Sequence, residues 1–189
     1  MLIVKFGGMM KRILVAVSVL VLGACTYIPQ RYSVSEENTE ALKKLGVGNI
    51  NVGPFTKSAE FDTSCKVVSG NVVPPDSTGL EGYIQQAFVA ELKHAGMFDD
   101  KTPKITLTGD IEKLSLSTWR TVYLSNWDIV VRLNSSNGKS VSIFQHYDFN
   151  AGPHRLPDCQ QIADHYMYAV QKTLYKLIDA PEFESLVTP

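Results

Sequence analysis

Histidine and cysteine are scarce, four and three in 189 residues, and they are absent from the spacings that hold metals. No C-x-x-C or HExxH pattern occurs. There is no G-x-S-x-G turn to present a hydrolase nucleophile. Gly46-x-Gly48 is the wrong context for a phosphate loop, because a strand follows it. Basic residues are neither in excess nor clustered, with 18 Lys and Arg against 19 Asp and Glu, so the footprint of a nucleic-acid binder is missing. Apolar runs are short as well. The longest, Ile13 to Ala24, has about half of the roughly 20 residues needed to cross a bilayer as a helix.

That short run is nevertheless the most informative part of the chain. Lys11 and Arg12 precede it, Leu22-Gly23-Ala24 supplies small residues at its end, and Cys25 follows at once. A positive start, an apolar centre and a small-residue cleavage site make an export signal. The segment resembles the lipobox of bacterial lipoproteins, which implies removal of residues 1–24 and acylation of Cys25 as the first mature residue. Thr26 differs from the aspartate that retains such proteins in the inner membrane, so an outer-membrane anchor on the periplasmic face is expected. Met1 to Met9, with its Gly-Gly pair, is not a usual leader, and Met9 and Met10 offer alternative starts. Loss of Lys5, Lys11 and Arg12 takes the formal charge from −1 to −4. The remaining 165 residues suit one domain.

With Cys25 acylated, Cys65 and Cys159 are left as a pair in an oxidising compartment and are expected to form a disulfide.

Along the mature chain, residues 25–35 read as a lipidated tether and 36–189 as a single periplasmic domain. Ser35 caps a helix from Glu36 to Leu45, which Gly46 terminates. Val47 to Phe55 reads as a strand ended by Pro54, and Thr56 to Ser77 as a long irregular loop holding Cys65. Thr78-Gly79-Leu80-Glu81 fits a capping box for a helix to Ala95, with Leu80, Ile84, Ala87, Phe88 and Leu92 on one face. Three alternating segments follow: Lys104 to Leu116, which changes phase near Glu112-Lys113 as a bulge requires, then Val122 to Leu133, and Val141 to Phe149. Asn137-Gly138 marks the turn between the last two. Asp158 caps a final helix to Ile178. The order strand, helix, three strands, helix predicts an α+β fold, a mostly antiparallel four-stranded sheet with two long helices on one face.

The Tyr83 to Ala95 helix, the strands around Asp128-Ile129-Val130-Val131, the Ser136-Asn137-Gly138-Lys139 turn and the Ile162 to Ile178 helix followed by Pro181-Glu182-Phe183 give the second half a recognisable order. It is similar to the YajG-like lipoproteins of Gram-negative bacteria and, more loosely, to auxiliary lipoproteins of ABC transport systems. The resemblance implies an envelope lipoprotein and carries over no catalytic residue and no cofactor.

Two clusters invite a site. His146, Asp148, His154, Asp158, Asp164 and His165 crowd into twenty residues, but their expected placements do not converge, so they read as surface and loop residues and no metal is expected. Trp119, Tyr123 and Trp127 share one parity. Trp127 reads as core, while Trp119 and Tyr123, with the sheet edge farther from the first strand, read as a partner-binding surface. The function expected is non-catalytic: an outer-membrane lipoprotein binding another envelope component, a protein first. A lipid- or transporter-associated auxiliary role comes second, and a periplasmic hydrolase or metal enzyme last. A groove lined by Trp or Tyr would favour lipid, an exposed strand edge a protein, and convergent His and Asp an enzyme.

Overall fold

The computed structural model describes residues 26–59, 61–67, 70–76, 78–119 and 123–189. The expected signal peptide, Cys25 and the expected strand start at Val122 lie outside them. The fold is α+β. Strands β1 (Thr26–Tyr27), β2 (Ile50–Lys57), β3 (Ser64–Cys65), β4 (Gly70–Val72), β5 (Ile105–Trp119), β6 (Leu124–Ser135) and β7 (Ser140–Phe149) alternate with helices α1 (Glu36–Lys44), α2 (Gly79–His94), α3 (Cys159–Ile178) and α4 (Phe183–Val187).

The main sheet has the order β2-β5-β6-β7. β5, β6 and β7 form an antiparallel meander, and β2 lies parallel to β5. The sheet is therefore mixed. A helix, α2, joins β2 to β5, and such a crossover is what parallel neighbours need. Leu107, Ile111, Leu114, Leu116, Trp127, Ile129, Val131 and Leu133 point to one face and are buried under α2 and α3. The phase change in β5 is a bulge between Ile111 and Lys113, which keeps Leu114 and Leu116 on the core side.

The helix ends follow the chemistry of their caps, with one exception. Asp158 accepts from the Gln161 N–H, and Gln161 returns a bond to the Asp158 N–H. Gly96 (φ 75°) lets the Met97 N–H reach the Leu92 carbonyl, the Schellman arrangement. The Thr78 capping box does not form. Thr78 has ψ 1° and Gly79 has φ 75°, so the threonine lacks the extended backbone that aims a cap side chain at the helix. Nor does Pro54 end its strand. A register shift between Val52 and Phe55 absorbs the missing N–H, and pairing resumes to Lys57.

The irregular stretch after β2 is pinned rather than loose. Asp62 bridges to Ser115 of β5, β3 pairs with β4, and Cys65 is bonded to Cys159 with Cα atoms 5.8 Å apart. That link spans 94 residues, a loop for which chain entropy gives a ceiling of about 4 to 5 kcal/mol.

The segment expected as a tether is fastened along its length. Thr26 and Tyr27 pair with Asn71 and Val72, and Pro29 is buried. Gln160 donates to the Ile28 carbonyl, Tyr83 to Gln30 and Gln171 to Ser33. Its far end is held by Glu91 of α2, fully buried. One Glu91 oxygen accepts from the Tyr32 hydroxyl (2.5 Å), the Ser35 N–H (2.9 Å) and the Asn38 amide (3.1 Å). Burial, reinforced by the bond to Glu91, pushes the Tyr32 phenol far above its ordinary range, so it stays a donor. Replacing Glu91 with alanine leaves the part-buried Tyr32 hydroxyl and Ser35 N–H without their acceptor, each costing about 1 to 3 kcal/mol, while the Asn38 amide keeps the Gln171 carbonyl. Urea unfolding should therefore show a loss of about 2 kcal/mol or more for Glu91→Ala, and a smaller loss for Glu91→Gln, which keeps an acceptor oxygen.

Candidate functional site

Because the helices cover one face of the main sheet, the alternate residues of β5, β6 and β7 form an open face. It is polar and laced by ion pairs. Arg132 meets Glu112 at 2.6 Å, Ser142 adds a bond to the same carboxyl, and Lys113 reaches Asp128 at 2.9 Å. Phe144 is the apolar exception, 47% exposed, with the Lys113 ammonium 5.7 Å from its ring centroid.

His146 stands beside it. Its Nδ1 lies 2.6 Å from Asp128 and its Nε2 3.0 Å from Asp148. The hydrogen bond that its Nδ1–H donates to Asp128 leads in raising its pKa, and Asp148 adds to it. Burial works to raise the Asp128 carboxyl, but bonds from Lys113 and His146 prevail and lower it. With both ring nitrogens engaged by carboxylates, the arrangement favours the protonated imidazolium. His165 lies elsewhere, on α3, stacked on Phe149 at 4.3 Å and flanked by Tyr147 and Tyr168. Burial lowers its pKa. His154 has φ 55° in the loop after β7 and meets the Tyr123 ring. Asp164 accepts from Gln160, and Asp158 is a helix cap. Six residues close in sequence are thus spread over the open face, a loop and a helix. Among the described residues no group of three or more His, Cys, Asp or Glu is arranged to hold a metal ion.

Trp119 and Tyr123, 59% and 37% exposed, flank the tip of the β5–β6 hairpin, while Trp127 is fully buried and donates its indole N–H to the Ile162 carbonyl. The far edge is β7. It is not a bare template: Lys176 donates to the Phe144 carbonyl and the Gln145 amide to that of His146. One groove, of about 250 Å³, includes Tyr32 and Tyr83 but also Arg31, Asp76 and Gln86 in its walls, and a larger one, of about 500 Å³, has Glu37, Glu40, Lys44 and Glu184 in its walls, polar linings for an acyl chain. No described helix is long and apolar enough to cross a membrane. Two participants escaped the sequence reading: Asp128, as the partner of His146, and Glu91. Opposed strands supply the first, and the phase of Glu91 in the α2 stripe was the signal for the second.

Comparison of the chain with family models and with curated proteins finds no match.

The two histidines titrate in opposite senses. His146 should titrate above the ordinary histidine value and His165 below it, followed by NMR of the ring protons. The stability from charged His146 is complete below the unfolded value and fades as pH rises through the raised folded one. That from neutral His165 is present above the unfolded value and is lost as pH falls toward its lowered one. Asp128→Asn should bring His146 down and leave His165 in place. An unmoved His146 would contradict the pairing.

Proposed function

We propose that the chain is a non-catalytic lipoprotein, acylated at Cys25 and held at the periplasmic face of the outer membrane, whose domain binds another envelope component, a protein. The observation that carries the reading is where the fold begins. Thr26, one peptide bond after the candidate anchor, already pairs with Asn71, so cleavage before Cys25 leaves every described element in place. With no membrane-crossing helix among its described residues, such a domain would depend on acyl chains to stay at the membrane, and the several chains of a lipoprotein supply stable anchoring.

The open sheet face is the surface that best suits a protein partner. It offers mixed charges around one exposed aromatic ring, Phe144, the combination of polar surround and apolar centre found in protein interfaces. Its position next to the capped β7 edge favours recognition through side chains over addition of a strand. Trp119 and Tyr123 stand instead at the end of the domain, where Thr26 enters, and a periplasmic protein would have to approach them from the membrane side.

Two measurements test this. Cys25→Ser should accumulate as an unprocessed precursor that no longer sediments with the outer membrane. Normal sedimentation of that variant would remove the lipoprotein reading. Separately, a photoreactive phenylalanine analogue in place of Phe144 should give a discrete protein adduct in living cells, whereas the same analogue in place of Tyr168, on the outer side of α3, should not. Equal labelling at both positions, or none, would count against a protein partner on the open face.

A further inference from the structure

Of the five large apolar side chains that stand exposed among the described residues, Trp119 and Tyr123 lie at the β5–β6 turn and Ile28 follows β1, its carbonyl bonded by Gln160 in the first turn of α3. Strand directions show that the Trp119 end is also the end where the chain enters. Asp62 pairs parallel with Ser115, so β3, two residues on, runs with β5 toward Trp119. β4 is antiparallel to β3, and β1 is parallel to β4. β1 therefore runs away from the end at which β5 finishes, and the residue before Thr26 is attached on the Trp119 side. Tyr123 belongs to the same end through its contact with His154, five residues before the Cys159 that is bonded to Cys65.

We infer that this end of the domain rests directly on the anchoring membrane, with Trp119 and Tyr123 seated in the headgroup region of the leaflet that holds the acyl chains and Ile28 close to the anchor point. The inference rests on acylation of Cys25. Consecutive Cα atoms are about 3.8 Å apart, and Thr26 is fixed by β4, so no residue intervenes between the candidate lipidation position and the described domain. A protein bound to the hairpin tip would need a gap between domain and bilayer that this attachment does not leave. Tryptophan and tyrosine are the side chains suited to what is there, since their rings are apolar and their N–H and O–H groups stay hydrogen-bonded at the headgroup level. Tyr123 is held in place for it. Its backbone has φ 53°, disfavoured for a bulky residue, and its ring stands edge-on against His154 at 5.6 Å.

The test uses the acylated protein in vesicles of three parts phosphatidylethanolamine to one part phosphatidylglycerol, with or without bromine near the headgroup end of the acyl chains. Mass spectrometry of the purified protein reads acylation at Cys25 independently. The chain has two tryptophans, and Trp127 is fully buried, so the lipid-sensitive emission belongs to Trp119. Brominated lipid should at least halve that component, and Trp119→Phe should abolish the response while keeping the Trp127 signal of a folded core. Equal emission in both kinds of vesicle from protein acylated at Cys25 would overturn the inference and leave the lipoprotein reading standing. A protein without the acyl mass would overturn both. Insensitivity to brominated lipid in pure vesicles, with shielding from acrylamide only in native outer-membrane vesicles, would assign the tip to a protein and overturn the inference as well.

Discussion

One buried carboxyl group governs how the amino-terminal part of this protein is placed. Glu91 is fully buried on α2 and takes its hydrogen bonds from Tyr32, Ser35 and Asn38, with Thr39 more distant at 3.4 Å. All of those donors lie on the segment before and within α1. A buried carboxyl without partners is costly, so the segment cannot leave α2 without exposing that cost, and the chain from Thr26 onward is held against the helices. The spacer expected at residues 25–35 is not free for this reason: the polar groups of its described residues are spent on α2 and α3.

The opposite end of that segment is fixed by a second constraint. The small sheet of β1, β4 and β3 has seven residues in its strands, too little apolar surface to stand alone. It is held by the Cys65–Cys159 bond to the first turn of α3 and by the Asp62 bridge to β5. Glu91 and the disulfide therefore act on the two ends of one strap. Between them they decide where Thr26, the residue next to Cys25, sits.

The core of the fold was legible in the sequence because its signals are periodic. The α3 stripe, the Asp158 cap and the phase change at Glu112-Lys113 each reflect one residue choice dictated by one local geometry, and each matches the observed element. What was not legible depends on partners distant in sequence. The parallel pairing of β2 follows from the α2 crossover, and the survival of β2 through Pro54 from a register shift against β5. The Thr78 box failed because two backbone angles, set by packing, override a side-chain preference. Glu91 occupies a core phase of the α2 stripe, three residues beyond Phe88 and one before Leu92. A charged residue there reads as an interruption until the donors from a segment more than fifty residues earlier come into view. Within the candidate site, exposure of Trp119 and Tyr123 was readable from their place at a hairpin tip. The pairing of Asp128 with His146 was not, since it needs the register of β6 against β7.

These placements also separate two surfaces of opposite character. The strands of the main sheet lead away from the end that carries Trp119, so the open face stands alongside the anchor direction, not against it. On that face the apolar area is confined to Phe144 and the half-buried Val130 among paired charges, and the neighbouring β7 edge has two carbonyls already bonded by Lys176 and Gln145. A long bare edge would invite other strands indiscriminately. Capping it while leaving the face uncovered restricts recognition to partners that match the side-chain pattern around Phe144. For the protein partner proposed above, affinity there would rest on one aromatic ring and on ion pairs that solvent screens, so such complexes should be weaker at higher ionic strength. On the proposed lipoprotein reading, attachment at the other end is apolar and covalent, and salt would leave it unaffected.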